Sequence, residues 1–214
     1  MPSAALAPLS ASKGPGADIR PLDFLYPAGG ADTAVAVYDN DFAAAAGLAD
    51  LVAAASAEAV ARKGSFTLAL SGGSLLKALG ALAGRPGVDF SKWWVLFVDE
   101  RNVPHASPDS NYRGAAEALL RRAPVPSSQV LALREGLPVE QAAAHYAGLM
   151  LDLDASVLPR AGGAGGAFPA LDLVLLGALP AGVFCFSGGR GAGRGRGRRR
   201  VALFVMGNGE VDSR

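Results

Sequence analysis

Phe66-Thr67-Leu68-Ala69-Leu70-Ser71-Gly72-Gly73-Ser74 decides how the chain is read, because a compact apolar strand runs straight into a glycine turn. Leu75, Leu76, Leu79 and Leu82 follow at helical spacing, and Gly84 to Gly87 closes that pattern. Downstream, Trp93-Trp94-Val95-Leu96-Phe97-Val98 is the strongest strand in the sequence, with an aromatic and β-branched content suited to burial on both faces. Asp99-Glu100-Arg101 marks its end. To the N-terminal side, Ala34–Tyr38 reads as a short strand, and Asp39, Asn40 and Asp41 supply caps for an Ala-rich helix over residues 42–63. Arg62 and Lys63 suit its negative end, Gly64 supplies the left-handed stop, and Gly47 weakens it locally.

Further along, residues 111–122 read as a helix and Val130–Leu133 as a strand. Pro138-Val139-Glu140 opens a helix through Tyr146 and Met150, residues 159–167 read as a glycine-rich loop, and Leu171–Gly177 as a strand with a glycine exit. Strands alternating with helices, several of them nearly continuous in apolar character, predict an α/β fold: a mostly parallel sheet with helices on both faces. Ligands in such sheets bind beyond the carboxyl ends of the strands. That rule gathers Ser71–Ser74, Asp99–Arg101 and the loop after Leu176 at one edge.

Composition limits the classes. The chain has 214 residues, 50% apolar and 18% charged, which excludes wholesale disorder and fits one globular domain. Cys185 is the single cysteine, so no intramolecular disulfide is expected. The longest nearly apolar run, residues 173–186, is shorter than the roughly 20 residues a bilayer helix needs, so no membrane partner is expected. The net charge of +1 hides an asymmetry, with 13 Lys/Arg against 17 Asp/Glu before residue 185 and seven arginines against Glu210 and Asp212 after it. Residues 188–200 are a Gly/Arg tract with flexibility and charge for non-specific polyanion binding, but no interleaved aromatic rings for base stacking. The expected organisation is a flexible leader over 1–32, a domain over 33–178 and a divergent tail over 179–214, in which Val201–Gly207 is a possible substitute strand.

The Ser71-Gly72-Gly73-Ser74 turn is the strongest anion-site candidate, since glycines let backbone amides approach a ligand and hydroxyls add donors. It lacks the G-x-G-x-x-G and G-K-[ST] fingerprints of nucleotide sites and the G-x-S-x-G setting of a nucleophile elbow. The plainer alternative is a tight turn with Ser74 as helix cap. Arg101 can grip a phosphate bidentately or pair with an acid, with Asp99 and Glu100 in supporting roles. His105 lies in a Pro-flanked loop and His145 in an Ala-rich helix, and two histidines without a Cys/His grouping do not make a zinc site. No metal and no organic cofactor are expected.

Leu68–Ser74 with Lys77-Ala78-Leu79, then Phe97–Pro104, then Asp109-Ser110-Asn111-Tyr112, resembles the 6-phosphogluconolactonase family, and Ala144-His145-Tyr146 and Leu171–Gly177 follow in matching order. The resemblance runs from about residue 34 to 177. It implies a sugar-phosphate isomerase/deaminase-like fold and hydrolysis of 6-phospho-D-glucono-1,5-lactone to 6-phosphogluconate in the pentose phosphate pathway, in the cytoplasm or a plastid. Arg101 with Val103-Pro104 looks like the lactonase version of the motif, where the related deaminases have tyrosine after Asp-Glu. It further implies phosphate or sugar contacts at Ser71, Gly72, Gly73, Ser74 and Arg101.

Two departures stand out. Leu75-Leu76 replaces the family's Thr-Pro, and the family's Asp-Gly-His segment has no counterpart after Gly177, where the chain reads Ala178-Leu179-Pro180-Ala181. No histidine follows His145, so no catalytic residue is assigned and impaired turnover is expected. The C-terminal part of the fold is expected to be incomplete, as in a truncated isoform or after a change of reading frame near residue 178. The alternatives are a non-catalytic sugar-phosphate-binding protein and polyanion binding through the Arg/Gly tail.

Overall fold

A computed structural model describes residues 17–21, 33–38, 40–163, 166–178, 182–187 and 200–206. The Gly/Arg tract up to residue 199 and the remaining stretches of the expected leader and tail lie outside the described residues.

Strands β1 (Ala17–Pro21), β2 (Thr33–Tyr38), β3 (Phe66–Leu70), β4 (Trp93–Phe97), β7 (Leu173–Ala178), β8 (Gly182–Ser187) and β9 (Arg200–Met206) form one sheet in the order β1-β2-β9-β8-β7-β3-β4. A separate hairpin pairs β5 (Arg160–Gly163) with β6 (Gly166–Pro169). The sheet is mixed rather than mostly parallel. β2–β9, β7–β3 and β3–β4 are parallel, whereas β1–β2, β8–β9 and β7–β8 are antiparallel. The cause is local: only residues 179–181 separate β7 from β8, and so short a link permits antiparallel return alone. β1 falls within the expected leader, and β8 and β9 fall within the expected tail.

The strand at Val130–Leu133 reduces to a single parallel bridge between Val130 and Val95, with Leu131 N–H donating to the Val95 carbonyl at 2.9 Å. The expected glycine-rich loop is the β5–β6 hairpin. Glycine and alanine there leave no side-chain pattern from which a strand could be read.

Helix α1 (Asp41–Lys63) begins where Asn40 accepts from Ala43 N–H at 2.9 Å and ends at Gly64, whose φ of 79° is the left-handed stop. It is the one described helix long and apolar enough to cross a membrane, and its Ala44, Leu48, Ala49, Val52 and Ala59 are buried in the protein core. Gly47 in it has a packing role, since a Cβ there would overlap the Tyr38 ring and hydroxyl. α2 (Ser74–Ala78) tightens into a 3₁₀ turn over Leu79–Leu82. α3 (Asn111–Ala115) widens into a π turn over Ala116–Leu120, and α4 (Val139–Asp152) starts after Pro138.

Alternation along the strands builds two cores. Phe66, Leu68, Leu70, Trp93, Val95, Phe97, Leu173 and Leu175 meet α1, α2 and Leu119 on one face. Ala69, Leu96 and Leu131 meet Tyr146, Leu149 and Met150 of α4 on the other. Helices therefore cover both faces. All of β3 is buried, which is why it reads as an unbroken apolar run. Trp93, fully buried, packs against Phe66 and Phe90 at ring separations of 5.0 and 4.8 Å, and its indole N–H donates to Ser56 Oγ at 2.8 Å.

β4 ends the sheet order, and its outer edge is capped by the Val130 bridge and by Tyr146, whose hydroxyl accepts from Phe97 N–H at 2.7 Å and donates to the Phe97 carbonyl at 3.1 Å. Burial is the main reason that the phenol's pKa is pushed up to about 12. The neutral phenol is thus favoured by folding, so this contribution is complete below about pH 10 and is lost as pH rises towards 12. Tyr146→Phe leaves Phe97 N–H without its partner and is expected to cost about 1–3 kcal/mol. Urea unfolding at pH 8 and pH 11 checks this, with the loss smaller at the higher pH.

Candidate ligand cleft

Three strand exits are sewn together at one edge. Ser71 N–H donates to the Leu175 carbonyl at 3.0 Å, Val98 N–H donates to the Leu70 carbonyl at 2.8 Å, and Gly177 N–H donates to Ser71 Oγ at 2.6 Å. The Ser71 oxygen therefore ties β3 to β7. Gly177 is pressed against the turn, since a Cβ there would lie 3.1 Å from the Gly72 carbonyl oxygen.

Gly73 has φ 82° and ψ −154°, a conformation that glycine adopts without steric cost, and it is the cap residue of α2. Ser74 is the first helical residue rather than the cap, and no side chain caps the amides of that first turn. Ser74 and Lys77, three residues apart, lie on one helix face. Leu75 and Leu76, which replace Thr-Pro, are both buried in the core, and Leu76 also reaches the cleft wall.

Glu100 organises the other side. Its Oε1 accepts from Arg101 N–H and from Asn111 N–H, each at 2.8 Å, and its Oε2 accepts from Tyr112 N–H at 2.7 Å. Ser110 Oγ accepts from Arg113 N–H at 3.2 Å as the α3 cap. The Asp99 carbonyl accepts from Asn111 Nδ2 at 2.9 Å. A charged side chain saturated with backbone donors closes the 99–112 loop on itself and fixes where Arg101 leaves it.

Gly73, Ser74, Lys77 and Arg101 line one cleft of about 780 Å³, with Asp109, Asn111, Glu117 and Arg122 on its other walls. The separated sequence elements that carry Gly73–Ser74 and Arg101 are thus brought together. Ser71 and Gly72 stand behind the lining, in the hydrogen-bonded seam, and Asp99 and Glu100 act through the loop. Arg101 and Lys77 have no side-chain partner among the described residues. Glu117 is paired with Arg113 Nε at 2.8 Å, and that hydrogen bond holds its carboxyl below the ordinary range.

Lys77, Arg122, Glu117 and Asn111 were not singled out as site residues from the sequence; Lys77 follows from its place one turn after Ser74 on α2. The one signal for the other three is the approach of α3 to α2, where Gly114 leaves room for Leu76.

Neither histidine lines the cleft. His105 is fastened elsewhere, with Nε2 2.8 Å from the Leu133 carbonyl and its ring against Tyr112 at 4.4 Å. His145 is in α4 with a buried Nδ1 that has no hydrogen-bond partner among the described residues. Among the described residues no group of three His, Cys, Asp or Glu side chains could hold a metal ion.

The fold and cleft define a class, an α/β protein with a cationic cleft at the carboxyl ends of parallel strands. The family model for glucosamine-6-phosphate isomerases/6-phosphogluconolactonase matches residues 39–182, more than half of the sequence, and the chain belongs to that family. The chain is 44% identical over 149 residues to a probable chloroplastic 6-phosphogluconolactonase 3 of Oryza sativa subsp. indica, covering 68% of this chain and 45% of the relative. It is 35% identical over 157 residues to the Homo sapiens 6-phosphogluconolactonase, covering 71% and 57%.

The crystal structure of a 6-phosphogluconolactonase from Shewanella baltica superposes with a TM-score of 0.54 at 28% identity, over 65% of this chain and 54% of that one. The structure from Leishmania guyanensis gives 0.55 at 26%, over 66% and 58%. The chain spans about half the length of the curated relatives it matches.

Proposed function

We propose that the cleft binds the phosphate of a 6-phosphosugar lactone through the Gly73 and Ser74 backbone, Ser74 Oγ, Lys77 and Arg101. The activity is that of the lactonase branch, hydrolysis of 6-phospho-D-glucono-1,5-lactone to 6-phosphogluconate, and it is weak in this chain. One observation carries the binding half: two cations without side-chain partners among the described residues share a cleft with a glycine turn whose helix lacks a side-chain cap. Weak turnover is argued from chemistry. Hydrolysis needs a base within about 3 Å of the attacking water. Among the described residues the ionisable acids lining the cleft are Asp109, exposed, and Glu117, already paired with Arg113.

The proposed setting is the cytoplasm or a plastid, and the rice relative's being named chloroplastic supports the plastid.

The test is calorimetry with 6-phosphogluconate beside a lactone turnover assay. Arg101→Ala is expected to weaken binding about tenfold or more, as loss of a charge-assisted, bidentate contact would. Binding with turnover measurably above the uncatalysed rate but far below about 10 s⁻¹ is the expected pair of results. Turnover at an ordinary enzymatic rate, of order 10 s⁻¹, overturns the impairment, and absence of binding overturns the site. Binding with no turnover at all favours the second reading, a sugar-phosphate-binding protein. Polyanion binding through residues 188–200 is a separate proposal, checked by salt dependence that disappears when the tract is deleted.

A further inference from the structure

Gly72 is not among the glycines with positive φ, so its backbone is open to any residue. A Cβ there would nonetheless stand 2.0 Å from Asn111 Oδ1 and 2.8 Å from its Cγ. Asn111 has little room to retreat. Its Nδ2 donates to the Asp99 carbonyl at 2.9 Å, its N–H donates to Glu100 Oε1 at 2.8 Å, and the residue is 8% exposed. One buried amide therefore binds the exit of β4 and fills the space beside the exit of β3. The same residue lines the cleft with Gly73, Ser74 and Arg101.

We infer that Asn111 is a positioning residue that sets the separation between the glycine turn and Arg101, and that position 72 is glycine to admit its amide. The inference rests on reading the cleft as the phosphosugar site. Gly72 and Gly73 thus serve different needs: the second is conformational, the first purely steric.

A cycle of Gly72→Ala, Asn111→Ala and the double variant tests this by thermal unfolding and by calorimetry with 6-phosphogluconate. Gly72→Ala is expected to lower the midpoint by at least roughly 2–4 °C in a chain of this size. In the Asn111→Ala background the same Gly72→Ala change costs less than half as much, because the methyl enters the volume the amide has left. Well below every midpoint, Asn111→Ala binds 6-phosphogluconate about tenfold more weakly, and the double variant stays weak because the bond to Asp99 is still missing.

Additive melting shifts overturn the pairing. Unchanged affinity in folded Asn111→Ala overturns the positioning role, which a merely structural residue would leave intact. Failure of the wild-type chain to bind overturns the functional reading and the positioning role together, while the melting cycle still decides the pairing of Gly72 with Asn111.

Discussion

Asp172→Ala lowers the free energy of unfolding by about 3–5 kcal/mol, the range for removing one partner of a buried ionic network. Asp172 stands just before β7 with its side chain 7% exposed. Its Oδ1 accepts from Arg62 Nη2 at 2.8 Å, and its Oδ2 accepts from Thr67 N–H and Thr67 Oγ1, each at 2.8 Å. Lys63 Nζ lies 3.0 Å from the same Oδ2, and Asp172 N–H donates back to Thr67 Oγ1 at 2.9 Å. One carboxylate therefore joins the C-terminal turn of α1, the start of the core strand β3 and the start of β7.

Alanine leaves the Lys63 ammonium, itself 10% exposed, without its counter-ion and two Thr67 donors without an acceptor. Asp172→Asn keeps an acceptor for Thr67 and should lose less, about 2 kcal/mol. Asp50→Ala removes an exposed partner of Arg85 and should cost under about 1 kcal/mol. Urea unfolding midpoints of the three variants check the order. A loss below about 1 kcal/mol in Asp172→Ala would show that the network contributes little.

Glu100→Ala is expected to cost about 2–4 kcal/mol of stability and to weaken 6-phosphogluconate binding more than the loss of any one hydrogen bond would. The carboxylate holds three backbone N–H groups, those of Arg101, Asn111 and Tyr112, so its removal frees both ends of the 100–112 loop at once. Arg101 keeps its charge in this variant and loses its fixed point of departure. Affinity should fall about 10- to 100-fold in protein that is still folded, since misplacement of about 1 Å is worth up to about 10²-fold. Glu100→Gln retains one acceptor oxygen and should recover part of both losses. Circular dichroism establishes the folded fraction and calorimetry reads the affinity. Wild-type affinity in folded Glu100→Ala would show that the loop keeps its shape unaided.

Glu100 also shows how far residue type alone goes in reading a site. A charged triplet at a strand end marks the right place in the fold, but nothing in Asp99-Glu100-Arg101 says which residue faces the cleft and which turns inward. Donors eleven and twelve residues later, the Asn111 and Tyr112 amides, make that choice. Ser71 and Ser74 divide in the same way. Both are hydroxyls flanking a glycine pair, yet Ser71 is engaged by the amide of Gly177, 106 residues away, while Ser74 lines the cleft. Lys77, Arg122 and Glu117 were not read as site residues: Lys77 joins the cleft because it shares a helix face with Ser74, whereas Arg122 and Glu117 depend on where α3 packs.

Amino-acid order by itself determined β2, α1, β3, β4, α4 and β7, because their causes act within a few residues. Examples are the unbroken burial of Phe66–Leu70 and the Asn40 and Gly64 caps of α1. It also placed the glycine turn and the Arg101 loop at the carboxyl ends of neighbouring parallel strands. Tertiary structure alone decided that β9 lies parallel beside β2, that Val130 makes one bridge instead of a strand, and that Asp172 takes its partners from β3 and α1. Hydrophobic periodicity is a local quantity, repeated every two or 3.6 residues. The pairing of β2 with β9 and the burial of the Asp172 charge are settled between segments 100 or more residues apart, where only the packed fold brings the partners into reach.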